Sequence, residues 1–111
     1  MIALSLIALL APAMSPDIAS TVRYDTIRCR NVKDAALKEC QVALVPRGEG
    51  KFAAYVTAPD GRVRILHFRG GVPSSTDAGS RLSFERDKET LAIKVGRTEL
   101  YEMPDRLVSG E

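Results

Sequence analysis

His67 is the only imidazole in this sequence, and Cys29 and Cys40 are its only thiols. A histidine beside a carboxylate and a hydroxyl can serve as the general base of a nucleophilic hydrolase, and such triads are defined by geometry rather than by order along the chain. Serines and aspartates are available, but no G-x-S-x-G elbow presents a nucleophile. His67 follows Val63 and Ile65 at alternate positions, so the simpler reading is a structural histidine on a strand. The two cysteines can bridge or act as a redox couple. Their spacing is not the C-x-x-C of a redox couple, and two thiols do not supply the four ligands of structural zinc. Gly48-Glu49-Gly50 lacks the third glycine of a dinucleotide fingerprint and reads as a turn. Asp77, Asp87 and Glu89 do not fall in the twelve-residue frame of a calcium loop. Glu102 and Asp105 bracket Met103-Pro104 and read as a solvated turn. These patterns lead us to expect no catalytic residue, cofactor or metal. The enzymatic alternative is a small hydrolase using a Ser/Asp/His67 constellation.

The first thirteen residues decide how the cysteines are read. Met1 to Ala13 carries no charged side chain, Ile2 to Ala11 is almost wholly apolar, and Ala11-Pro12-Ala13 offers small residues to a signal peptidase. That is the outline of a secretory signal peptide, although no Lys or Arg precedes the apolar run. The run is too short for a membrane span, which needs about 20 apolar residues. We expect a signal peptide over 1–13, a flexible lead-in over 14–22, and a single β domain over 23–111, in a periplasmic or secreted protein. In an oxidising compartment an even cysteine count favours a structural Cys29–Cys40 disulfide. No stable membrane span is expected after cleavage. Cleavage after Ala13 leaves 98 residues, enough for one modest core. Sixteen basic and fourteen acidic residues nearly cancel, and Arg62, Arg64 and Arg69 are interleaved with apolar residues. A nucleic-acid binder shows a clustered basic excess, so no nucleic-acid partner is expected.

The elements that must position these residues follow from period-two patterning and turn residues. Tyr24 to Arg30 reads as a strand. Asn31 to Cys40 reads as a short helix or loop, with Asn31 a candidate cap and Asp34 its partner. Val42 to Pro46 and Lys51 to Thr57 alternate as strands. Pro59-Asp60-Gly61 is a strong turn signal that sets Ala58 against Arg62. The register then places Phe52 beside Phe68, Ala54 beside Leu66, Val56 beside Arg64 and Ala53 beside His67. Both faces of this hairpin carry apolar pairs, so cover on both sides is expected, at least in part. Gly70 to Ser80 is rich in Gly, Pro and Ser and reads as a loop. Its length makes Gly70, Gly71, Pro73 and Asp77 a candidate partner-contact surface. A second hairpin pairs Leu82 with Val95 and Phe84 with Ile93, and a returning strand sets Tyr101 beside Ile93 and Met103 beside Leu91. Leu82, Phe84, Leu91, Ile93, Val95, Tyr101 and Met103 are therefore expected to line one buried face. The predicted fold class is mainly β: a small antiparallel meander of five to six strands, either a curved sheet or a small barrel, with one short helix or loop between the cysteines.

The chain resembles a group of small exported proteins of Proteobacteria. The likeness rests on Cys29 and Cys40, on Val56-Thr57-Ala58-Pro59-Asp60-Gly61, on Phe68-Arg69-Gly70-Gly71-Val72-Pro73, on Asp77, Phe84, Arg86 and Gly96, on Tyr101-Glu102-Met103-Pro104-Asp105, and on Gly110. Members of the group end in a Tyr-Glu-Ile-Pro-Asp segment, and Met103 stands here where Ile is usual. The resemblance implies an envelope location and carries no activity, cofactor or catalytic residue. The functional expectation is a non-enzymatic binding module, such as an inhibitor or an accessory subunit of an envelope complex.

Overall fold

The computed structural model describes residues 22–79 and 81–109. The expected signal peptide and almost all of the lead-in lie outside the described residues. The rest is an eight-stranded antiparallel sheet with one helical turn. The strands are β1 (Arg23–Arg30), β2 (Lys38–Gly48), β3 (Lys51–Thr57), β4 (Val63–Arg69), β5 (Val72–Thr76), β6 (Leu82–Asp87), β7 (Thr90–Val95) and β8 (Glu99–Pro104), followed by α1 (Asp105–Val108). Their order in the sheet is β5-β4-β3-β2-β1-β8-β7-β6. The last strand thus pairs with the first, through Arg28–Glu102, Cys29–Tyr101 and Arg30–Leu100. This pairing curls the sheet into a nearly closed barrel. Its single seam lies between β5 and β6, which follow one another in the chain but are not neighbours in the hydrogen-bonded ladder.

Eight strands replace the five to six expected. Much of the Gly-Pro-Ser stretch is strand β5. Gly70 and Gly71 adopt φ of 60° and 80°, a backbone suited to glycine, and turn the chain so that Val72 faces Arg69 and Pro73 faces Phe68. The segment between the cysteines is a loop and not a helix: Asp34 sits at φ 64°, which interrupts any helical run. Asn31 donates from its side-chain amide to Asp60, 3.0 Å away, instead of capping a helix.

The registers expected for both hairpins are present. Phe52 pairs with Phe68 and Val56 with Arg64, Phe84 pairs with Ile93, and Tyr101 pairs with Ile93. The Phe52 and Phe68 rings stack with centroids 4.6 Å apart. Strand alternation sends one row of side chains inward from each strand. Ile27, Cys29, Cys40, Val42, Leu44, Ala54, Val56, Leu66, Phe68, Leu91, Ile93, Val95, Tyr101 and Met103 form one buried core. Leu107 and Val108 of α1 join it. The Cys29–Cys40 disulfide ties β1 to β2 with Cα atoms 5.9 Å apart. No helix among the described residues is long and apolar enough to cross a membrane.

Candidate functional site

The seam is where the interior row is left open. From β6 the inward positions are Leu82, Phe84 and Arg86, because they oppose the inward Val95, Ile93 and Leu91 of β7. Ile93 is fully buried, yet Phe84 beside it remains 42% exposed. The expectation that Phe84 lies in a buried face is therefore corrected: it is in the right row, but no strand is hydrogen-bonded along its far side and the ring stays partly open. Leu82 is half-buried and packs against the core edge. On the other bank, β5 carries a bulge, so that Ser75 opposes His67 and Pro73 opposes Phe68 with Ser74 extra between them. A depression of about 450 Å³ lies between the banks, lined by Pro73, Ser74, Ser75, Thr76, Leu82 and Phe84 among others.

Polar ties hold the two ends of the barrel. At one end Arg64 of β4 reaches across to β8. Its Nε and one terminal nitrogen donate to the two carboxylate oxygens of Glu99 at 2.8 and 2.7 Å, and its other terminal nitrogen donates to Asp77 at 2.9 Å. The buried Tyr101 hydroxyl donates to Glu99 at 2.6 Å, and the amide of Ile65 donates to Asp77 at 3.2 Å. Burial pushes the Glu99 carboxyl up, but the Arg64 and Tyr101 hydrogen bonds outweigh it and hold the group below its ordinary range. Asp77 behaves in the same way, burial being outweighed by Arg64 and the Ile65 amide. Burial and the neighbouring carboxylate push the Tyr101 phenol well up. At the opposite end α1 covers the interior. Arg86 pairs with Asp105 at its start and donates a long 3.4 Å bond to the carbonyl of Gly71.

The residues singled out in the sequence are not gathered into one site. The cysteines are joined and structural. His67 is half-buried on the outer face opposite Ala53. Ser74 donates to the backbone carbonyl of His67 and not to its ring, and the carboxylate of Asp77 is held by Arg64. No Ser/Asp/His67 triad is assembled among the described residues. Of the four candidate contact residues, Gly70 is exposed, Pro73 is buried at the seam, and Asp77 belongs to the Arg64 tie. Gly71 lies against α1, where an added Cβ would meet the Val108 carbonyl at 3.3 Å. Among the described residues, no group of three or more His, Cys, Asp and Glu side chains is arranged to hold a metal ion. The Arg64–Glu99 tie was missed, because partners 35 positions apart leave no local signal. The open flank of Phe84 was missed because alternation reveals a row but not which strand lacks a neighbour.

Two further depressions differ in charge. Arg47, Lys51 and Arg69, together with His67, line one of about 270 Å³ over β2 to β5. Asp87, Glu89 and Glu102 line another of about 430 Å³ over β6 to β8, together with Lys88. Comparison of the chain with protein-family models, with curated proteins and with solved structures finds no match in any of the three.

Proposed function

We propose that the protein is an exported binding module, periplasmic or secreted, that captures a partner protein of the envelope as an inhibitor or accessory subunit. The observation that carries this reading is the seam. Phe84 belongs to the interior row, yet it is partly exposed beside a depression flanked by two unpaired strand edges. A large apolar side chain left open beside a depression suits a surface that is completed by a partner. Pro73 lines that depression, so the described part of the Gly70–Ser80 segment contributes to the contact as the far bank. The disulfide and the apolar start of the sequence both suit an oxidising compartment outside the cytoplasm.

The hydrolase reading draws no support from the surroundings of His67, whose ring makes no hydrogen bond to a serine hydroxyl or a carboxylate among the described residues. The test is partner capture from envelope extracts by the purified protein and by a Phe84→Ser variant. The binding-module reading expects a captured protein that the variant loses while it stays folded. Turnover of a substrate that disappears in His67→Gln would overturn it.

A further inference from the structure

On the basis of that binding-module reading, we infer that the occupant of the seam is an extended polypeptide segment that adds to β6 as a further, antiparallel strand. Its apolar side chains turn inward onto Phe84, and its basic side chains turn outward opposite Glu85 and Asp87.

The two banks of the seam are not equivalent. β6 pairs with β7 from Leu82 to Asp87 without a bulge, and its other edge is unpaired. Alternate residues of such a strand point N–H and C=O groups outward, which makes a regular free edge a template for another strand. β5 is protected against the same event. It is five residues long, Pro73 has no N–H to donate, and the bulge at Ser74 breaks its regularity. β6 is thus the receptive edge.

The side chains specify what it receives. A strand laid along β6 sets alternate residues beside Leu82 and Phe84, in the depression of about 450 Å³, and covers the ring left 42% exposed. On the outer face the same strand meets Ser83, Glu85 and Asp87. Neither carboxylate has an ion-pair partner among the described residues. Cross-strand pairs of opposite charge are favourable and like charges are not, so lysine or arginine fits the outward positions. The same rule disfavours a second copy of this chain in two registers. An antiparallel β6–β6 pair centred on Glu85 would oppose the two carboxylates, and one centred on Arg86 would set Glu85 against Asp87. The long bond from Arg86 to Gly71 is the one side-chain hydrogen bond that spans the seam among the described residues, and the added strand replaces it.

The probe is an acetylated, amidated octapeptide alternating lysine and valine, titrated into the isotopically labelled protein. The expected result is saturable binding with slowed amide exchange along Leu82–Asp87 and no such change along Val72–Thr76. A glutamate–valine peptide should bind about tenfold more weakly, and the double variant Glu85→Lys/Asp87→Lys should reverse that preference. Both side chains are exposed, so the fold is not at stake. N-methylation of alternate peptide amides on the edge facing β6 should abolish binding. Failure to saturate, or binding indifferent to N-methylation on either edge, would overturn the inference. So would dimerisation of the free protein that protects the β6 amides, which would assign the edge to a second copy. If the peptide fails but Phe84→Ser still loses the envelope partner, strand addition falls and the binding-module reading stands.

Discussion

Replacing Glu99 with Gln tests the structural core of the fold most directly. The change keeps the shape of the side chain and removes its charge. Glu99 accepts two hydrogen bonds from Arg64 and one from Tyr101. A glutamine offers one carbonyl oxygen, so one Arg64 nitrogen would face an amide NH₂ and lose its acceptor. Bonds to charged groups contribute about 1.5–3 kcal/mol, against about 0.5–1.5 for neutral ones, and breaking a buried pair costs about 3–5 kcal/mol. The Arg64 and Glu99 side chains are 25% and 16% exposed, so water recovers part of that loss. The expected destabilisation at pH 7 is about 2–3 kcal/mol, a large share of the roughly 5–15 kcal/mol typical of a domain. Urea unfolding at several pH values measures it. Glu99 titrates lower in the folded chain than in the unfolded one. Its contribution is therefore complete above the ordinary glutamate pKa of about 4.3 and disappears as pH falls through the lower, folded value. The gap between the native protein and Glu99→Gln should shrink in acid. The Arg64→Met/Glu99→Met protein should be at least as stable as either single methionine variant, because neither charge is stranded. A loss below about 0.5 kcal/mol at pH 7, or a gap that widens in acid, would refute the reasoning.

Other expectations concern the bridge, the two rows and the histidine. Mass spectrometry of the non-reduced protein should show Cys29 joined to Cys40, and its removal by a double Cys→Ala change should lower the unfolding free energy by about 3 kcal/mol. Phe68→Ala should cost about 3–5 kcal/mol, since its ring is only 2% exposed and stacked on Phe52. Phe84→Ala should cost no more than about half of that, since part of its ring already meets water; equal losses in thermal unfolding would show that the seam is closed in solution. His67→Gln should shift stability by less than about 1 kcal/mol and leave partner capture intact. Loss of capture by a folded variant would place the ring at the contact surface.

Much of the sheet was legible because turns fix register. Pro59-Asp60-Gly61 determined the pairing of β3 with β4, and that pairing carried Phe52 to Phe68 and Val56 to Arg64. β5 was not legible: its Val-Pro-Ser-Ser-Thr composition is that of a loop, and pairing along one edge of β4 is what makes it a strand. The helical propensity of Asp34 to Leu37 was overruled by the left-handed backbone of Asp34, inside a loop whose ends the disulfide holds. α1 is a single turn, too short for periodicity to register, yet its Leu107 and Val108 belong to the core. The candidate site was legible only in its parts. Alternation identified Phe84 as an interior residue and Pro73 as part of a special segment. That both lie on the banks of one seam follows from the β1–β8 pairing, which joins positions 70 or more residues apart and leaves no trace in local sequence.

The same pairing governs when the molecule can become itself. No ring of strands exists until Glu99–Pro104 reaches Arg23–Arg30, so synthesis must pass Pro104 before the interior can close. Contacts of such sequence separation form slowly, on the millisecond-to-second scale of β-barrels. Until then β1 has β2 as its one neighbour and one exposed edge, and the disulfide between β1 and β2 fastens only the paired side. A barrel whose first strand waits for its eighth stays open until both have left the ribosome.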